Sequence, residues 1–80
     1  MSAALEKPGV SGARQTLRAL RDGRVLRVYI AEDAAARVAE PVRLAAGDVG
    51  VPVLEVPTMR ELGRLCGLKV GCACAAVLRS

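Results

Sequence analysis

Val25-Leu26-Arg27-Val28-Tyr29-Ile30, followed directly by Ala31-Glu32-Asp33, decides how the chain is read. The run is nearly continuous in apolar residues and does not alternate. A strand with one wet face alternates, whereas one covered on both faces reads like this. The segment is therefore expected to lie in the middle of a sheet flanked by helices.

The flanking segments agree with that expectation. On the N-terminal side, Ser11 is the expected cap of a helix running to about Asp22 and ended by Gly23. Ala13, Leu17 and Leu20 recur at helical spacing and are expected to form its buried stripe. Arg14, Arg18 and Arg21 share that spacing about a quarter turn round, which gives an arginine edge beside the buried face. Residues 2–7 are expected to form a short helix before the Pro8-Gly9 break.

On the C-terminal side, Asp33 is the expected cap of a helical segment over residues 34–46. Pro41 lies inside it, so a short turn is expected first, with the main helix starting near Pro41. Gly47 and Gly50 close it. Residues 51–56 predict a second strand, with Pro52 at its start. Thr58-Met59-Arg60-Glu61 is a capping box and predicts a helix with Leu62, Leu65 and Cys66 on its apolar face, ended by Gly67. Residues 72–78 predict a last strand of small residues. Strand and helix alternate, which implies an α/β fold with a mostly parallel sheet. Eighty residues suffice for one such domain, with no internal repeat or linker.

Composition narrows the function. The chain is 52% hydrophobic but has a single aromatic residue, Tyr29, so Ala, Val and Leu must build the core. Tyr29 itself is expected in that core. Between positions 14 and 27, Arg14, Arg18, Arg21, Arg24 and Arg27 face one acid, Asp22, and this segment accounts for the whole net charge of +4. Such a cluster either binds a polyanion or is a solvated helix face. No apolar run approaches the roughly 18 residues of a membrane span. Residues 1–8 lack a signal-peptide core. The expected location is the cytoplasm, with no membrane partner, and nothing calls for more than a monomer.

Signatures of catalysis are missing from the sequence. There is no histidine, the commonest general base and metal ligand. No Walker loop, dinucleotide fingerprint or nucleophile elbow occurs. Cys66, Cys72 and Cys74 lack the number and spacing of a zinc site, so no metal or cofactor is expected. Cys72 and Cys74, two residues apart, are expected on one face of the last strand as small hydrophobes. Scarce aromatics exclude recognition of single-stranded RNA by stacking. Groove contacts and shape remain. Gly12-Ala13-Arg14-Gln15-Thr16-Leu17-Arg18 suits them, because helix-start N–H groups favour phosphate and Arg or Gln can pair with base edges.

Those seven residues resemble the helix-start signature of the kink-turn-binding ribosomal proteins, the family of the archaeal "L-seven-Ae" and eukaryotic "L-thirty-e" proteins. Ile30-Ala31-Glu32-Asp33-Ala34, Val51-Pro52-Val53, Glu61-Leu62-Gly63-Arg64 with Cys66-Gly67, and the small residues 71–77 resemble that family in order and at matching spacing. The likeness covers about residues 8–78 and extends to the family's short bacterial ribosomal-protein-like members. It implies a three-layer α/β/α sandwich around a four-stranded mixed sheet in which one strand runs antiparallel. It implies a non-enzymatic protein whose partner is a kink-turn in ribosomal RNA or a riboswitch, with possible placement on the ribosome. Under it, Arg14 and Gln15 read sheared G·A pairs, and Arg18, matching a family lysine, contacts guanine or phosphate. Gly12 and Ala13 permit close approach. Leu68, Lys69 and Val70 match the loop that covers the bulge. By its position two turns down the helix, Arg21 is expected to meet the RNA backbone. The archaeal pattern has Asn-Glu where Arg14-Gln15 stand. The alternative is a protein–protein module on the same fold, as in the acidic growth-arrest branch.

Overall fold

Seven elements follow one another in the computed structural model, which describes residues 5–79. They are β1 (Val10–Ser11), α1 (Ala13–Arg21), β2 (Val25–Ala31), α2 (Ala36–Asp48), β3 (Val53–Val56), α3 (Met59–Leu65) and β4 (Cys74–Leu78). The strands form one sheet in the order β1-β4-β2-β3. β2 pairs with β3 in parallel, Tyr29 opposite Leu54. β4 runs antiparallel to both its neighbours, with Tyr29 opposite Ala75 and Val10 opposite Ala76. Three strands thus share one direction, and only β4 opposes them. The expected mostly parallel sheet holds for strand direction. It does not hold for pairing: β4 lies inside the sheet, so two of the three pairings are antiparallel.

β2 is buried on both sides. Val28 and Ile30 join Leu20, Val42, Ala46 and Cys74 in the core beneath α1 and α2. Tyr29 and Ala31 join Val56, Leu62, Cys72 and Val77 beneath α3. The result is a three-layer α/β/α sandwich, two helices on one face and one on the other. Burying each large apolar side chain contributes about 1.5–3 kcal/mol. The many buried alanines let the helices approach the sheet closely. Leu26 escapes burial because the β2–β4 register shifts between Val25 and Arg27.

Several local expectations are corrected. Ser11 does not cap α1; it lies in β1 opposite Ala75, and Gly12 takes the cap position. The two-residue β1 has too little length to show a period. The buried face of α1 is Thr16, Ala19 and Leu20, with Ala13 and Leu17 half-buried at its margin. A hydroxyl residue does not register as apolar, so Thr16 was missed. In the segment expected to be helical at 2–7, residues 5–7 are not helical, and residues 2–4 lie outside the described residues.

α2 is continuous through Pro41. Burial of Ala39, Val42 and Ala46 on one face outweighs the one hydrogen bond that proline omits on the exposed side. Asp33 does not cap α2. Its Oδ1 accepts the Met59 N–H at 2.7 Å, so it holds the start of α3 across 26 residues of chain. The N-cap half of the capping box forms: Thr58 Oγ1 accepts the Glu61 N–H at 3.1 Å, while the Glu61 carboxylate accepts the Thr58 hydroxyl at 3.4 Å. Cys72 and Cys74 fall on opposite sides of the sheet, in the α3-side and α1/α2-side cores respectively. The strand begins only at Cys74, so its alternation does not extend back to Cys72.

Candidate nucleic-acid interface

The start of α1 is set by a glycine. Gly12 adopts φ +94°, where L side chains are strained, yet a Cβ there would meet nothing within 4 Å. The backbone conformation, rather than crowding, demands glycine here, and the space beside it stays open. Gly12 N–H donates to the Cys74 carbonyl at 2.7 Å, and its carbonyl accepts the Thr16 N–H at 3.0 Å. No side chain caps α1. The N–H groups of its first turn therefore face outward without helical partners. Arg14, Gln15, Arg18 and Arg21 are exposed along this helix, and Ala13 is half-buried.

The second segment is the loop from α3 to β4. Leu68, Lys69 and Val70 are all exposed, Val70 at 70%. The loop is pinned to α3 by Leu68 N–H donating to the Gly63 carbonyl at 2.8 Å and Cys72 N–H to the Met59 carbonyl at 2.9 Å. Gly63 is indispensable to that contact, for a Cβ on it would stand 2.0 Å from the Val70 carbonyl oxygen.

Topology brings the two segments together. β1 ends where β4 begins, so the Gly12–Cys74 hydrogen bond joins the helix start to the end of the loop. Ala31 N–H donates to the Ala73 carbonyl at 2.9 Å, which places the exposed Glu32 and Asp33 at the same end. This is the carboxyl end of β1, β2 and β3, where open α/β sheets generally place their ligands. Arg21 lies two turns down α1, away from that end. The sequence reading missed Gly63, Asp33 as a clasp between β2 and α3, and Arg37 on α2. Only Gly63 had a local signal, a glycine inside a helix.

The cysteines belong to the packing. Burial, then the neighbouring Cys72, pushes the Cys66 thiol from 9.0 to about 12, opposed by Lys7. Burial chiefly pushes Cys74 to about 11. A raised thiol pKa favours the protonated native state. Its stabilisation is complete below the unfolded pKa near 9 and is lost as pH rises toward 11–12. Unfolding free energy from urea melts is expected to fall between pH 9 and 11, less steeply in C66A/C74A. Parallel pH profiles for parent and variant would refute this. Among the described residues, no three His, Cys, Asp or Glu side chains gather to hold a metal ion, and no helix is long and apolar enough to cross a membrane.

The geometry can be set beside known proteins. The model of the ribosomal protein L7Ae/L30e/S12e/Gadd45 family matches residues 3–80. The chain belongs to this family. An RNA-binding protein of Geobacillus kaustophilus (strain HTA426) is 44% identical over 70 residues, covering 88% of this chain and 85% of the relative. RNA-binding protein YbxF of Geobacillus stearothermophilus has the same identity and coverage. An RNA-binding protein of Caldanaerobacter subterraneus is 45% identical over 67 residues, 84% of this chain and 82% of its own. Among solved structures, the 15.5 kD RNA binding protein of Giardia lamblia superposes with TM-score 0.82 at 29% identity, over 89% of this chain. This chain spans 60% of that protein's length. A Bacillus halodurans protein of unknown function shares the fold, with TM-score 0.79 at 24% identity over 89% of this chain and 71% of its own. The L7Ae/L30e family is not one of enzymes, and these relatives are named as RNA-binding proteins.

Proposed function

We propose that this member of the L7Ae/L30e family binds RNA and recognises a kink-turn, a bent helix–bulge–helix with sheared G·A pairs, in ribosomal RNA or a riboswitch. It acts as a single monomeric domain in the cytoplasm, on the ribosome or on a free RNA. The observation that carries the reading is the hydrogen bond from Gly12 N–H to the Cys74 carbonyl, 2.7 Å, which sets the uncapped start of α1 beside the end of the exposed Leu68-Lys69-Val70 loop. The names of the relatives support the RNA partner.

In this reading Arg14 and Gln15 meet guanine edges from the first helical turn. Arg18, one turn on, meets guanine or a phosphate. Gly12 and Ala13 let the RNA come close to the backbone, and first-turn N–H groups face its phosphates. Leu68 and Val70 cover the unstacked bulge bases, with Lys69 beside the backbone.

Gel shifts test the reading with three RNAs: a kink-turn, the same RNA with its G·A pairs replaced, and a plain duplex of equal length. Binding to the kink-turn is expected to be at least about tenfold tighter than to either control. Equal affinity for all three would reduce the activity to polyanion binding.

A further inference from the structure

Between α1 and α2 lies an open groove of about 560 Å³ that reaches beyond the proposed recognition end. Its rim carries Arg14, Arg18 and Arg21 from α1 and Arg37 from α2. Its floor is apolar and includes Leu17, Val38 and Pro41. Among the described residues, none of these four arginines pairs with a carboxylate. Arg27 pairs with Glu6, and Arg43 with Glu55 at 2.5 Å and Glu40 at 3.2 Å, but neither lines the groove. Four like charges around one concavity repel one another and are relieved by an anion.

We infer that this groove seats the phosphate backbone of one stem of the bound RNA, with the arginines of α1 on one side and Arg37 of α2 on the other. The inference rests on the RNA-binding reading and extends it from the start of α1 to the side of α1 that faces α2. Arg14 and Arg18 belong to both sites, so the groove continues the same surface. From Arg14 to Arg21 the helix rises about 10 Å. That length lets the arginine row face more than one phosphate along a strand. The chemistry also fits along the width. A sugar–phosphate strand is amphipathic: its ribose carbons suit the Leu17, Val38 and Pro41 floor while its phosphates face the guanidinium rim. Arg37 follows the arginine-rich 14–27 segment by ten residues, and only the packing of α2 against α1 brings it into the same groove.

The test measures binding of the full chain to a kink-turn RNA and to versions with each stem shortened in turn to the edge of the motif. Arg37→Gln is expected to weaken the intact RNA roughly threefold to tenfold. It should also lower the salt slope by about 0.7–0.9 for the phosphate released. Arg37→Lys keeps the charge and should retain most of the affinity. The Arg37→Gln loss should vanish when one particular stem is shortened, and discrimination for the G·A pairs should be unchanged. Arg37 is exposed, so both variants should melt like the parent. A silent Arg37→Gln, as expected if the groove takes an acidic protein segment instead, would overturn the inference. So would a loss independent of both stem lengths. A parent without kink-turn preference that still loses duplex affinity on Arg37→Gln would sink the recognition reading and leave the groove standing.

Discussion

Gly63→Ala is expected to destabilise the protein and to remove kink-turn discrimination together. The added Cβ would sit 2.0 Å from the Val70 carbonyl oxygen, 3.1 Å from the Val70 carbonyl carbon and 3.2 Å from Gly71 Cα. All three are backbone atoms, so no side chain can swing aside. The loop must lift off α3, which strains the hydrogen bonds from Leu68 N–H to Gly63 and from Cys72 N–H to Met59. Overpacking costs about 1–3 kcal/mol and each lost hydrogen bond about 0.5–1.5. Helix propensity works the other way, since alanine is favoured over glycine by about 1 kcal/mol. The net loss is therefore about 1–5 kcal/mol, a large share of the 5–15 typical of a domain. Gly47→Ala is the control. It also lies in a helix, and its Cβ would meet nothing within 4 Å, so it should stabilise by up to about 1 kcal/mol. Urea melts and gel shifts of both variants decide the matter. A Gly63→Ala protein as stable and as selective as the parent would show that the loop does not depend on this contact.

Arg14→Ala and Gln15→Ala should each cost about 1–3 kcal/mol in binding to kink-turn RNA, roughly fivefold to 150-fold, and should erode preference for the G·A pairs. Both side chains are exposed in the first turn of α1, so the fold should change by no more than about 0.5 kcal/mol. They are adjacent, so the double variant need not equal their sum. Arg21→Ala, two turns further on, should instead weaken binding without touching G·A discrimination, and should flatten the salt dependence. The position of each residue relative to Gly12 divides base readers from a backbone contact. The same specificity profile in all three variants would erase that division.

Much of the fold was legible because its signals are local. The nearly continuous apolar run of β2 announced burial on both faces, and Val28 and Ile30 do face one core while Tyr29 and Ala31 face the other. The Thr58–Glu61 capping box began α3 where the spacing required. The arginine edge of α1 is exposed as its periodicity implied. Boundaries were weaker. Ser11 has good capping chemistry, but pairing with β4 claimed it for a strand. Pro41 would break an isolated helix, but α2 is held by the face it buries.

The sequence by itself determined the alternation of helix and strand from α1 to β4, the charge of α1 and the residue types available for binding. Those features follow from periods and propensities that neighbouring residues set among themselves. Tertiary structure alone decided that β4 returns between β1 and β2, and so joins Gly12 to Cys74. It decided that Asp33 clasps α3, that Gly63 lies under Val70, and that Arg37 shares a groove with the arginines of α1. Each of these depends on which distant segments pack together to bury apolar surface, and that choice is settled by the whole core at once.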